Sequence, residues 1–168
     1  EKINTTQFLD ASYNLCVTVY DACGNETSRT FGEYLINNTP PQKVENVNGT
    51  VISAVKAVLR WDDVPDDDRS SYSVYRIQNG TPTLVAQNIQ TIESETGKLI
   101  MLLSELEPQT TYSYVVSAID QCNNEGEKSD VCTFTTEEDT VAPVIINPPA
   151  AARVKSSLTY KAEAVDNI

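Results

Sequence analysis

Residues 61 to 68 read WDDVPDDD, which places the five carboxylates of Asp62, Asp63, Asp66, Asp67 and Asp68 behind a tryptophan. Side chains of this type and spacing can ligate a hard cation, act as a general acid and base, dock a basic partner, or simply face water. The stretch alone does not choose among these. Histidine is absent from the chain, which removes Ser-His-Asp and Cys-His triads, histidine general bases and zincin motifs. The four cysteines, Cys16, Cys23, Cys122 and Cys132, include no Cys-x-x-Cys pair. Among enzyme chemistries, only those built on carboxylates stay open.

The chain has 168 residues, 40% of them hydrophobic and 7% aromatic, as in small globular modules. Its net charge of -12 repels nucleic-acid phosphates and anionic lipid headgroups, so nucleic acid is not expected as a partner. Cations and basic surfaces suit it better. No apolar run is long enough to span a bilayer, and the amino end, EKINTTQF, lacks the charged and apolar pattern of a leader. Membrane insertion is not expected of this segment, and any export signal or anchor is expected outside it.

The elements that must position these side chains show themselves as period-two alternation broken by turn residues. KAVLRW, YSVYRI, KLIMLL and TYSYVVSAID alternate or run apolar for strand lengths, separated by loops such as QNGTP and CNNEGEKS. An all-β sandwich is the expected fold class. SETGKLIMLLSEL also fits helical spacing through Leu99, Leu102, Leu103 and Leu106, but Gly97 and Pro108 on its flanks favour a strand. Self-comparison adds a repeat: YNLCVTVYDACGNE (13 to 26) aligns without a gap on YSYVVSAIDQCNNE (112 to 125), matching Asp21 to Asp120, Cys23 to Cys122 and Asn25 to Asn124. KAEAVDN (161 to 167) is a fainter third echo. The polar, Pro-containing NNTPPQKV and EEDTVAPVI follow the two copies and read as linkers, with boundaries near 39 and 139.

Residues 40 to 137 resemble a fibronectin type III domain: Trp61 closes strand B, YSVYR fits strand C, and LEPQTTYSYVVSAID is similar to that family's Leu-x-Pro-x-Thr-x-Tyr corner followed by strand F. Residues 1 to 38 resemble the last strands of a related immunoglobulin-like module, with DACGN similar to the Asp-x-x-Gly-Asn loop of bacterial surface repeats. The tail resembles the first strands of another such module. The expected organisation is therefore tandem immunoglobulin-like β-sandwiches: a partial module at 1–38, a complete one at 39–138 and a further partial one at 139–168.

That resemblance gives most signature residues a structural role. Trp61 shares its phase with Leu59 and Ala57 and should point into the core, while Tyr112 should turn its hydroxyl onto the backbone at the strand E to F corner. Tyr75 and Tyr20 fall on outward positions where a sugar could stack. In strand E the phase set by Leu106 turns Leu99, Met101 and Leu103 inward and Ile100 and Leu102 outward, with Val58 beside them as a candidate lateral interface.

The same resemblance brings carboxylates to the module junctions. Asp62 and its neighbours, the F to G loop with Asp120 and Glu125, and the linker Asn37 to Thr39 should share one pole, where flexible oxygen ligands could hold calcium. At the second junction Glu137, Glu138 and Asp139 should meet Asp166 and Asn167 as a second calcium candidate. Cys16 and Cys23 are roughly 20 Å apart on an extended strand, too far for a disulfide. Cys122 and Cys132, flanking the F to G hairpin, are the candidate bond, closing a loop of about ten residues and adding about 2 to 3 kcal/mol; the alternative is a buried thiol at Cys132. Sequons stand at Asn4, Asn25, Asn37, Asn48 and Asn79.

Function follows by analogy of fold. The leading expectation is a non-catalytic structural or adhesive stalk segment of a secreted or cell-surface protein, making contact with protein partners or neighbouring modules. The alternative is an accessory spacer of a large extracellular carbohydrate-active enzyme, with carbohydrate as a possible partner. A receptor-like ligand site is a third reading, although the nearest approach to Arg-Gly-Asp is Asp68-Arg69-Ser70.

Overall fold

The computed structural model describes residues 2–65, 69–93, 96–145 and 163–165, and every described strand or turn belongs to an all-β architecture. A short 3-10 turn at Thr5–Gln7 precedes a long hairpin of β1 (Ala11–Tyr20) and β2 (Glu26–Ile36). After the linker come β3 (Asn48–Ser53), β4 (Lys56–Trp61), β5 (Arg69–Gln78), β6 (Thr81–Ile89), β7 (Leu99–Leu103), β8 (Thr111–Asp120) and β9 (Cys132–Thr135). A last antiparallel pair joins β10 (Val144–Ile145) to β11 (Ala164–Val165).

The central strands make a sandwich of two antiparallel sheets, ordered β3-β4-β7 and β6-β5-β8-β9. Alternation dictates this directly. Ala57, Leu59 and Trp61 of β4 and Leu99 and Leu103 of β7 face Tyr72 and Val74 of β5 and Tyr112, Tyr114, Val116 and Ala118 of β8 across the core. Trp61 is fully buried and meets Tyr72 edge-on at 5.7 Å. Tyr112, Tyr114 and Phe134 stack with centroids 5.9 to 6.4 Å apart at one end of the core. Gly49 of β3 lies against this stack, and a Cβ there would meet the Phe134 ring at 2.3 Å, so only glycine lets the two sheets close over it.

Turn chemistry fixes the connections. Asn79 and Gly80, both at positive φ, form the tight turn between β5 and β6. At the β7 to β8 corner the Tyr112 hydroxyl accepts the Glu107 amide at 2.8 Å, and Leu106 is buried below it. The expected tyrosine corner and strand phase are both present. KLIMLL forms β7 rather than a helix, with Leu99 and Leu103 buried and Met101 packed against the core.

Candidate functional site

The carboxylates after Trp61 split up as soon as the strand ends. Asp62 accepts the Lys98 ammonium at 2.7 Å and the Asn46 side-chain amide, and these two partners hold its carboxyl below the usual range. Asp63 accepts the Tyr72 hydroxyl at 2.6 Å, and the same hydroxyl accepts the Val64 amide at 2.7 Å. Both described carboxylates of the run therefore anchor the loop to its own sandwich. Asp66, Asp67 and Asp68 lie outside the described residues.

Asp62 and Asp120, expected at one pole, take separate hydrogen-bond partners. Asp62 is drawn sideways to Lys98, whereas Asp120 turns into its own loop, where its Oδ1 accepts the Asn124 amide at 2.7 Å and its Oδ2 the Asn124 side-chain amide at 2.7 Å. Glu125 also turns away, accepting Tyr75, Ser117 and Lys128 on one oxygen at 2.7 to 2.9 Å. Burial pushes its carboxyl up, but the three hydrogen bonds from Ser117, Lys128 and Tyr75, with the Lys128 charge, hold it below its ordinary value. Tyr75 faces outward as expected, yet Lys128 covers its ring at 4.3 Å. Tyr20 stands exposed at the end of β1.

What does converge at the first junction is the linker. Asn37 donates its side-chain amide to Asp120 Oδ2 at 3.1 Å, and Asn124 donates to the Asn37 carbonyl at 2.9 Å. From the other side Asp10 accepts the Asn38 amide at 2.6 Å and the Thr39 amide at 3.1 Å, while the Asn38 side chain donates to the carbonyls of Thr5 and Phe8. Hydrogen bonds from the Thr39 side chain and the Asn38 amide keep the Asp10 carboxyl below its ordinary value. Beyond the linker, Pro41 is buried against Gly126, and Lys43 pairs with Asp130 at 2.7 Å. Asp10 was not legible as a partner, because its ligands lie 28 and 29 residues away.

These amide donors bear on the calcium expectation. The Asp120 oxygens are aimed at N–H groups, which repel a cation where they approach a carboxylate. Asp139 accepts the Val141 amide at 2.9 Å, and the Glu137 carbonyl accepts the Gln109 amide at 3.0 Å. Asp166 and Asn167 lie outside the described residues. Among the described residues, no three Asp, Glu or Cys side chains are grouped to hold a metal ion.

The disulfide expectation is also corrected. All four cysteines are thiols, with Cys132 half-buried against the core and Cys122 exposed. Strand register is the reason: Cys132 pairs with Tyr114, six strand positions before Asp120, so it sits roughly 20 Å along β8 from the loop that carries Cys122. Burial pushes the Cys132 thiol pKa up, as in a structural cysteine.

On the outer face of the three-stranded sheet, the phase deduced for Val58, Ile100 and Leu102 holds. Val58 pairs with Leu102, which is 60% exposed, and Arg60 pairs with half-buried Ile100. Ile52 at the β3 bulge adds a 54% exposed neighbour that alternation in the sequence did not single out. Arg60 closes one side of the patch with a two-pronged ion pair to Glu93 at 2.8 and 3.0 Å. Arg60 and the Thr96 hydroxyl pull the Glu93 pKa down to about 2. A carboxylate depressed in the folded state stabilises above its unfolded pKa near 4.5 and loses that contribution as pH falls through about 2. Amide exchange at Gly97 and Lys98, corrected for intrinsic rates, should therefore accelerate between pH 4.5 and 2, and Glu93→Gln should show the fast rates already at pH 6. Unchanged exchange in that variant would contradict the pin.

Comparison with known proteins places the fold. No family model matches the chain. Over 112 residues it is 34% identical to endoglucanase B of Cellulomonas fimi, spanning 64% of this chain and 10% of that protein. Over 169 residues it is 28% identical to cadherin-4 of Gallus gallus, spanning 94% of this chain and 18% of the cadherin. The chain thus covers a small fraction of these relatives. The crystal structure of FN3tt aligns with a TM-score of 0.50 at 18% identity, covering 60% of this chain and 99% of that one. The FN1–FN3 domains of chicken CNTN1 align with a TM-score of 0.51 at 18% identity, covering 77% of this chain and 44% of theirs.

Proposed function

We propose, from the premise that the central sandwich has the fibronectin type III fold, that this chain is a non-catalytic stalk segment of a secreted or cell-surface protein. It sets spacing and orientation between neighbours and offers a sheet face for protein contact. The observation that carries this reading is the linker Asn37 to Thr39, gripped by Asp10 on one side and by Asp120 and Asn124 on the other. A linker hydrogen-bonded at both ends transmits orientation, whereas a free one would only tether.

The domain organisation is part of the proposal: a partial sandwich at 1–38, a complete one at 39–138 and the start of another from 139. The hairpin supports it. In β8 the row Tyr112, Tyr114, Val116 and Ala118 is buried under the opposite sheet, and its counterparts in β1 are Tyr13, Leu15, Val17 and Val19. Tyr34 and Phe31 stand directly across on β2, completing one apolar face. Such a face suits an opposing sheet of the kind that covers β8.

Lateral contact falls to Ile52, Val58, Ile100 and Leu102. The double variant I100S/L102T should stay folded, losing about 1 kcal/mol because Leu102 is exposed and Ile100 half-buried. Its self-association should weaken in sedimentation velocity. Unchanged association by a folded variant would remove the patch from the account.

The second reading, an accessory spacer of a carbohydrate-active enzyme, is favoured by the similarity to endoglucanase B. Electrophoresis through gels containing soluble cellulose, xylan or pectin separates the two. The stalk reading expects unretarded migration and no reducing sugar released; retardation favours the accessory reading, and hydrolysis would contradict both.

A further inference from the structure

The two halves of the sequence repeat share four hydrogen bonds in their loops, and the first adds one from the Cys23 amide to Asp21 Oδ1 at 2.8 Å. Asp21 N–H donates to the Asn25 carbonyl at 3.0 Å and Asp120 N–H to the Asn124 carbonyl at 3.1 Å. Gly24 N–H returns to the Asp21 carbonyl at 3.1 Å, as Asn123 N–H does to Asp120 at 3.2 Å, both from positive φ. The Asn25 amide reaches Asp21 Oδ1 at 2.9 Å, and the Asn25 side chain reaches Oδ2 at 2.7 Å, matching the two bonds from Asn124 to Asp120. Within each loop these bonds leave one side-chain N–H of the asparagine and one lone pair of the aspartate Oδ2 for a partner outside it.

In the second loop those two outward groups have an occupant. Asn37, directly after β2, donates its side-chain N–H to Asp120 Oδ2, and its carbonyl accepts the Asn124 side-chain amide. Asp120, with Asn37 and the paired strand β5 beside it, is 2% exposed, while Asp21, with the same two bonds from its asparagine at the end of a two-stranded hairpin, is exposed. An occupant must offer one donor and one acceptor, as the Asn37 primary amide and backbone carbonyl do here.

We infer that the Asp-x-x-x-Asn loop is a receptor for linker peptide, and that Asp21–Asn25 is a second receptor of the same kind, taking an asparagine-bearing segment like that at Asn37. That the occupant of the second receptor is the linker of a preceding module rests on the serial reading above; the chemistry of the loop does not. The device sets orientation at successive junctions through neutral amide contacts and one carboxylate.

The sequence offers a clean test, since Q121A/N123G converts DQCNN into DACGN and grafts the first loop onto the second position of the intact chain. Exchange of the Asn37 and Asn124 side-chain amide protons reports the contact by NMR, and Trp61 fluorescence reports the fold. In the graft, protection should remain within about twofold of the unmodified chain, whereas Asn124→Ala should lose about tenfold or more. Asn37→Ala, which leaves the sandwich untouched, guards against an Asn124 variant that fails to fold, and should expose Asn124 equally. A folded graft as unprotected as Asn124→Ala would overturn the inference for Asp21–Asn25 while leaving the serial reading intact. Unprotected amides in the unmodified chain would overturn the receptor itself.

Discussion

Trp61→Ala is expected to remove most of the stability of the central sandwich. Trp61 is fully buried, pairs with Leu99 across β4 and β7, and meets Tyr72 edge-on. Truncating a buried tryptophan costs about 3–5 kcal/mol, through lost burial and the cavity left behind. Small domains have only about 5–15 kcal/mol in total. Among the described residues Trp61 Nε1 is buried with no hydrogen-bond partner, so Trp61→Phe should cost clearly less than the alanine change, because it removes that unsatisfied donor as well as ring area. Urea unfolding followed by far-ultraviolet circular dichroism measures both. Equal midpoints for the two variants would contradict this picture of the core.

Gly126→Ala carries the second large effect, for a different reason. A Cβ at Gly126 would lie 2.5 Å from the Pro41 carbonyl oxygen, a backbone atom. Neither partner has room to retreat: Gly126 N–H is tied to the Ala118 carbonyl at 2.9 Å, and the chain after Pro41 is held by buried Val44 and by the Lys43–Asp130 pair. Overpacking of this kind costs about 1–3 kcal/mol. Its signature should be local as well as global, with faster amide exchange over residues 42–45 than in an exposed control such as Gly32→Ala, where a Cβ meets nothing. Matching exchange in the two variants would mean that the segment does not depend on this contact.

The strands whose two faces differ were legible from sequence. β4, β5, β7 and β8 each present buried residues to the core, so burial imprints alternation on them, and their phase follows from Trp61, Leu106 and Tyr112. β6 escaped because it is an edge strand, mostly exposed and opened by Thr81 and Pro82, where burial imposes no period. Long-range pairing escaped for another reason. Whether Asp62 turns to Asp120 or to Lys98, and whether Cys132 lies opposite Cys122 or opposite Tyr114, depends on register between segments distant in sequence. The repeated loop was legible as a motif, and its hydrogen-bonded partner Asn37 was visible only in three dimensions.

The central claim is that the linker fixes the hairpin to the sandwich. Nitroxides on the exposed Cys23 and Cys122, with Cys16→Ser and Cys132→Val to leave no other thiol, bracket β1, β2 and the linker, a separation on the order of 30 Å for a ten-residue strand. Pulsed dipolar spectroscopy should give one narrow distance distribution, which Asn37→Ala broadens. A broad distribution in the chain with Asn37 intact would contradict the account, since the two units would then be tethered without being oriented.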